Sequence, residues 1–299
     1  MDVSVVVPTL NDREELRGCL DSIAAESPRE IVVVNGPSTD GTSGMVRDRE
    51  DVDVLVEIDE RNVNVARNAG LDRIRGDAVG FVAPTMSVES GWLDAVTGDL
   101  REAEAVTGPT HERLDAGVAT DTIESRRIRG RTVTYFNGGN VAFSRGLMES
   151  IDGFDEYLGV GGARDAAHRI AGVGSEVVWS AEMCVSREAA ADGGTTERDW
   201  RTRYRSLSYR LAKNYGIHPT VPFRTLRHAV VDAGGALRDV VRGDGKPSAW
   251  FGNGRDVVLG GSRGYADGLR ARYTDRNAQR NPRGLSARTD RAVAVHDRR

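Results

Sequence analysis

The chain is predicted to be an α/β protein, a mostly parallel central sheet flanked by helices and followed by a basic, mainly helical C-terminal region. Three observations predict this. The first 42 residues alternate strand, helix and strand. The alternation continues to about residue 180, with apolar runs of strand length between stretches of helical periodicity. From Trp200 onward the strand signals stop.

Val3 to Val7 forms the first strand, and Leu16, Leu20 and Ile23 recur at helical spacing over residues 12–25. Asn11 or Asp12 can cap that helix, with Glu14 and Glu15 favourable in its first turn. Ile31 to Val34 is the second strand and leads through Ser38-Thr-Asp-Gly-Thr42 into a helix over 41–49. Val52 to Ile58 precedes a helix over 63–75, and a strand over 78–83 ends at Pro84. A helix follows from Gly91 to Ala103. Residues 105–136 read as two strands joined by an arginine-rich connection. Helices over 145–151 and 163–172 frame Gly153-Phe-Asp-Glu156, and a strand covers 176–180. The last third is expected to hold helices over 199–215, 222–242 and 254–273, with a charged tail. The expected division is a domain over 1–198 and a basic region over 199–299.

The 299 residues carry 41 Lys and Arg against 45 Asp and Glu. Only two of the basic residues are lysine, Lys213 and Lys246. Residues 199–299 hold 21 Lys and Arg, nine Asp and no Glu, a net of +12 on a chain whose overall charge is −4. Such a basic third calls for an anionic partner, or for the acidic body of the same chain. No apolar run approaches the roughly 20 residues that span a bilayer, and no leader is evident, so a cytoplasmic location is expected. Cys19 and Cys184 read as free thiols, since their spacing fits no metal motif.

Four segments, in order, resemble the family 2 glycosyltransferases, inverting enzymes of the GT-A fold. They are Val5-Val-Val-Pro-Thr-Leu-Asn11, Val33-Val-Asn35 with Ser38-Thr-Asp-Gly-Thr42, Ala66-Arg-Asn-Ala-Gly70, and Gly153-Phe-Asp-Glu156. The resemblance runs from about Asp2 to Gly174. It implies a nucleotide-sugar donor over the strand ends, bound through Pro8, Thr9, Asn11, Asn35, Asp40, Arg67 and Thr85. Arg67 is the residue type for a diphosphate, though an arginine there also suits a structural ion pair. Asp40 equally suits a turn and helix cap, and Thr9 and Asn11 equally hold their loop. On the acceptor side the resemblance points to Asn140, His168 and Arg169, and His168 also reads as a helix-surface histidine.

The chain departs from the family at three places. Asn35 stands where an aspartate normally reads the base, and an amide still offers a donor and an acceptor. Phe81-Val-Ala-Pro-Thr85 stands where the family carries the carboxylate that holds Mg2+ or Mn2+. The metal motif is therefore degenerate, no metal ligand is assigned, and Arg67, Arg164 or a C-terminal arginine must serve the leaving diphosphate. Gly162-Ala163 replaces the carboxylate pair that supplies the general base. Asp165 is the candidate base in its place, with Asp155, Glu156 and His168 as further candidates; Asp165 also reads as a buried, paired structural carboxylate.

In the last third, Trp200, Tyr204, Tyr209 and Tyr215 interleave with Arg201, Arg203, Arg205, Arg210 and Lys213, the composition of a membrane-interface surface. Trp250-Phe251, in a glycine-rich stretch, is a second candidate for insertion or for a core contact. The region is similar to tails of haloarchaeal transferases that extend dolichol-phosphate-linked glycans. The expected function is transfer of a sugar, with a hexuronic acid as candidate, from a nucleotide donor to a lipid-linked glycan. That places the protein peripherally on the cytoplasmic membrane face, beside other transferases of the pathway and without nucleic acid. The alternative is a degenerate relative that binds or scaffolds an active partner. A nucleotidyltransferase is disfavoured, because no glycine-rich phosphate loop with a basic residue follows the first strand.

Overall fold

The computed structural model describes all residues except 115–116, 121–122, 189–198, 243–246 and 275–280, with backbone alone at 113–119, 188, 220, 235–242 and 247–253. These residues form two compact units, Met1–Tyr157 with Gly162–Ala191 and Arg283–Arg299, and Leu158–Gly161 with Asp192–Pro282.

The first unit begins β1 (Val3–Thr9), α1 (Arg13–Ala25), β2 (Glu30–Asn35), α2 (Thr42–Arg47), β3 (Val54–Glu57), α3 (Val63–Leu71) and β4 (Ala78–Val82). It continues with β5 (Ser87–Val88), α4 (Trp92–Asp99), β6 (Ala105–Thr107), β7 (Thr110–Leu114), β8 (Gly117–Thr120), β9 (Glu124–Ile128) and β10 (Arg131–Tyr135). Then come β11 (Asn140–Ser144), α5 (Arg145–Ser150), α6 (Gly162–Val173), β12 (Val177–Trp179), β13 (Val185–Glu188) and, from the chain's end, β14 (Ala294–Asp297).

The main sheet has the order β12-β6-β11-β4-β1-β2-β3-β14. Strands β1 to β4 are mutually parallel, and β6 pairs parallel with β12. Only β11 and β14 run against their neighbours. This is the mostly parallel sheet that the alternation predicts, and of the GT-A type that the family resemblance implies. Every residue of β1 is buried, which is why the strand is mostly valine, and the one polar residue inside the run, Ser4, donates its hydroxyl to Glu30. Leu16, Leu20 and Ile23 of α1 are buried in the core cluster with Val5 and Val7. Gly70 lets α3 approach β1, since a methyl there would overlap Val6 Cγ1.

The expected strand over 132–136 is present as β10, but several strands were not legible: β7, β8 and β9 lie in the stretch read as an arginine-rich connection, with β5 and β13 of the second sheet, β5-β13-β7-β8, outside it. β11 was hidden in a polar Asn-Gly-Gly-Asn turn, and β14 in the charged tail. Its Ala292-Val-Ala-Val295 run pairs with β3 through His296 opposite Leu55.

The division expected at 198/199 lies outside the described residues, and the second unit does not run to the end of the chain. Residues 283–299 return to the first unit because their arginines meet its carboxylates. Arg291 Nε donates to Glu156 Oε1 at 2.5 Å and its Nη1 to Asp72 at 2.9 Å. Arg288 pairs with Glu156 at 2.8 Å and also with Glu60. Arg299 pairs at 2.5 Å with Glu30, which is buried and also accepts from Ser4. Part of the +12 of the last third is thus answered within the chain.

The second unit packs α7 (Trp200–Tyr215), α8 (Thr220–Arg242) and α9 (Pro247–Thr274). Gly260, Gly264 and Gly268 of α9 lie against the backbone oxygens of Arg201, Arg205 and Tyr209, so no side chain fits there and the two helices run in the same direction. The aromatic interface expected on α7 is corrected by burial. Tyr204, Tyr209, Tyr215 and Lys213 are all buried, and the Tyr204 hydroxyl donates to Asp232 at 2.7 Å. Their i, i+4 and i+5 spacing puts them on the helix face that packs inward. Trp250-Phe251 falls in α9 rather than in a loop, and the side chains lie outside the described set. No helix among the described residues is long and apolar enough to cross a membrane.

Candidate functional site

The C-terminal ends of β1, β2, β4, β6 and β12 lie along one edge of the main sheet, where open α/β sheets bind ligands. Thr9 and Asn35 are register partners there, with Pro8 buried one residue earlier. The two following loops are tied together. Asn11, exposed and left-handed at φ 59°, accepts from Thr39 N–H at 2.8 Å, and its own N–H donates to Ser38 Oγ. Ser38 Oγ donates to Asn35 Oδ1 at 2.6 Å, and Asn35 Nδ2 donates to Ser43 Oγ at 2.8 Å. Ser43 in turn donates to Glu57. The amide of Asn35 is therefore oriented, with one N–H left over, rather than free to rotate.

Thr9 Oγ1 donates to Asp12 at 3.2 Å. Asp40 accepts from the Thr42 hydroxyl at 2.6 Å and from the N–H groups of Thr42 and Arg13. Those bonds, the Thr42 hydroxyl foremost, hold its carboxyl below the usual range. Asp40 thus caps the start of α2 and joins it to α1, with its oxygens occupied.

Arg67 sits on the buried face of α3 and is 9 % exposed. Its Nη2 donates to Gly138 O at 2.8 Å, its Nη1 to Asn64 Oδ1 at 3.3 Å, and the guanidinium lies 5.0 Å from the Phe154 ring centre. Nε is buried without a partner. No carboxylate pairs with Arg67 among the described residues, and burial pulls its pKa down to about 10. The structural ion pair weighed for this residue is absent.

The motif residues also bind one another. Asn68 Oδ1 accepts from Phe154 N–H at 2.8 Å, and its Nδ2 donates to Phe154 O and Glu156 Oε1. Gly153, at φ 64°, has Asn68 Oδ1 within 2.6 Å of where a Cβ would stand. Gly153-Phe-Asp-Glu156 is thereby seated on α3.

The acceptor-side expectations fare differently. Asp165 is wholly buried and pairs with Arg169 Nε at 2.9 Å. Arg169 is itself buried and also donates to Ile151 O. Asp155 is wholly buried and accepts from Tyr157 N–H. Glu156 is held by Arg288, Arg291 and Asn68. All three carboxylate candidates for the base therefore belong to the interior or to ion-pair networks, which corrects their reading as groups facing an acceptor. Asn140 is also buried. Its amide accepts from Trp92 Nε1 and donates to Pro109 O and Met183 O. His168 is buried rather than on the helix surface, edge-on to Tyr135 with ring centres 5.6 Å apart.

What does open to solvent at this edge is a cleft of about 270 Å3 at the ends of β6 and β12. Its lining includes Thr107, Glu124, Tyr135, Asn137, Arg164 and Trp179. Glu124 pairs with Arg164 at 3.0 Å, and Arg164 lies 4.5 Å over the Tyr135 ring. Burial raises the Glu124 pKa, but Arg164 and Arg126 overcome it and keep the carboxyl below its ordinary value. Glu124 was missed in the sequence. The one signal was a single glutamate ahead of a run of arginines, on a segment whose strands were not recognised. Asn137 links the cleft to Arg67, because the next residue, Gly138, accepts from that guanidinium.

The strand end where a divalent cation is implied does not fit one. Ala83 offers a methyl, Pro84 a ring, and exposed Thr85 a neutral hydroxyl, where a hard cation needs carboxylate oxygens.

A profile of Glycosyl transferase family 2 matches residues 4–149. Among curated proteins, glycosyltransferase AglE of Haloferax volcanii is 23 % identical over 221 residues, covering 67 % of this chain and 71 % of AglE. The pre-mycofactocin glycosyltransferase of Mycobacterium tuberculosis is 26 % identical over 217 residues, and the match spans 45 % of that protein. Among solved structures, mannosyltransferase PcManGT from Pyrobaculum calidifontis, in complex with GDP-Man and Mn2+, aligns over 89 % of this chain and 87 % of its own. The TM-score is 0.56 at 20 % identity. TarS of S. aureus in complex with UDP-GlcNAc aligns over 71 % of this chain and 67 % of its own, with a TM-score of 0.55 at 17 % identity. These likenesses share the GT-A fold.

Proposed function

Since this chain belongs to glycosyltransferase family 2 and is a transferase of the GT-A fold, we propose that it moves a sugar from a nucleotide donor to a lipid-linked glycan, with Glu124 as the general base. The observation that carries the mechanism is the pairing of Glu124 with Arg164 at the start of α6. The helix itself has lost its carboxylates there to Gly162-Ala163. The neighbouring hairpin supplies one in their place. Glu124 takes the proton from the acceptor hydroxyl as that oxygen attacks the anomeric carbon. The bond from that carbon to the leaving diphosphate breaks, and Arg67 meets the charge that develops on it. A hexuronic acid donor suits the cleft, because its carboxylate has Arg164 to meet.

For the lipid side, α8 supports a membrane-facing role that α7 does not. Phe223, Leu226, Val230 and Val231 are each more than 60 % exposed and lie at helical spacing beside Arg224 and Arg227. Exposed aliphatic stripes flanked by arginine fit the headgroup region of an anionic bilayer. Sedimentation with anionic phospholipid vesicles is expected for the wild type and lost in the double variant Leu226→Glu/Val230→Glu. Equal sedimentation of both proteins refutes this surface.

The activity test uses the purified chain, a panel of nucleotide-sugars and lipid extracted from the source cells. Transfer is expected with one of the donors, with little change on adding Mg2+ or Mn2+. Glu124→Gln is expected to lower kcat about 100-fold with KM nearly constant. Strong Mn2+ dependence refutes the metal-free diphosphate site, and unaltered turnover in the variant removes Glu124 as the base. Turnover by no donor overturns the reading.

A further inference from the structure

We propose that Glu89, His111 and Cys184 form a zinc-binding site on the second sheet, outside the transfer cleft. The three residues come from three segments that one strand brings together. β13 lies between β5 and β7, with Val185 opposite both Val88 and Thr110. Glu89 directly follows β5, His111 is the second residue of β7, and Cys184 directly precedes β13. Main-chain bonds hold this junction: Glu89 N–H donates to Cys184 O at 3.0 Å, and Val185 N–H to Pro109 O at 3.1 Å.

One ligand atom from each side chain lies within 4.8 Å of the other two, and His111 Nδ1 is 3.0 Å from Glu89 Oε1. Tetrahedral zinc sets its thiolate, imidazole and carboxylate atoms about 3.3–3.6 Å apart. Side-chain rotation of about 1 Å closes the site. This is the only such group among the described residues. All three side chains are half-buried, so an ion can enter and a water or a fourth ligand can complete the shell.

The surroundings favour a cation over a plain ion pair. Arginine neutralises carboxylates throughout this chain, yet no arginine or lysine pairs with Glu89 among the described residues. A carboxylate, an imidazole and a thiol thus gather where no lysine or arginine of the described residues pairs with them. As the Zn–S bond forms, the Cys184 S–H proton leaves to solvent with no change in oxidation state, so binding weakens as pH falls. The ion would pin the strand ends next to Pro109 and Met183, whose carbonyls take the amide of Asn140.

The test needs neither donor nor acceptor, so its outcome is independent of the transfer reading. The metal-free full chain is titrated with Co2+ as a spectroscopic stand-in. One Co2+ per chain is expected, with a thiolate-to-cobalt charge-transfer band that Zn2+ abolishes by displacement. Cys184→Ser removes the band, and His111→Ala or Glu89→Gln weakens binding more than about tenfold. Zn2+ raises the thermal midpoint of the wild type but of none of the variants, whose metal-free midpoints serve as folding controls. Absence of a thiolate band, or Co2+ binding that all three substitutions leave unchanged, overturns the site.

Discussion

Arg67→Met is expected to cost about 100- to 1000-fold in turnover, the loss that follows removal of one donor to a developing anion. The ground for so large an effect is the state of the guanidinium. It is buried, it has no carboxylate partner among the described residues, and Nε lacks any hydrogen-bond partner. A buried cation left in that condition is expensive unless an anion completes it. Gly138 O and Asn64 Oδ1 hold two arms of the fork, and Phe154 supports its face. A nucleoside diphosphate should therefore raise the unfolding midpoint of the wild type and leave that of Arg67→Met unchanged. Arg67→Lys keeps a charge but not the planar fork, so it should recover part of the affinity and little of the rate. Equal diphosphate binding by wild type and Arg67→Met would show that the guanidinium is only architectural.

The largest expected effect on stability is at Arg291. Its side chain is 1 % exposed and reaches five oxygens: Glu156 Oε1, Asp72 Oδ2, Gly284 O, Leu285 O and Arg288 O. Arg291→Ala leaves a buried pair broken, and removing one partner of such a pair costs about 3–5 kcal/mol. Urea unfolding of the first unit should register that loss. Asp72, raised by burial and restrained chiefly by Arg291, should titrate higher still in the variant. Because Glu156 also accepts from Asn68, the seat of Gly153-Phe-Asp-Glu156 on α3 should loosen and 283–299 should become open to protease. A variant that unfolds with the wild type would mean that Arg288 alone carries the network.

The main sheet was legible because its central strands are buried on both faces. A strand such as β1 must then be mostly apolar, and four valines in the five residues from Val3 to Val7, next to an amphipathic helix, read as a buried strand. The short strands of the second sheet, β5, β7, β8 and β13, were not legible. They are two to five residues long, and nothing in so short a run distinguishes a strand from an extended loop. The helices of the second unit were found from their periodicity, yet the face of α7 was misread. A tyrosine between arginines has the same composition at a membrane and in a core. Three glycines of α9, spaced four apart, decided which it was.

The site divides along the same line. The sequence by itself determined the α/β order, the family motifs, and the absence of carboxylates at 83–85 and 162–163, since identity at a position needs no geometry. It also placed Arg67 on the helix that faces the strand ends. Only the tertiary structure decided which charged groups line the cleft. Asp155, Glu156 and Asp165 are acidic residues in the expected places, but packing and arginines have claimed them. Glu124 lies some 40 residues earlier than Asp165 in the chain and enters the cleft through a hairpin pairing that no local pattern announces. Burial and counter-charge set what a carboxylate can do, and both depend on residues distant in sequence.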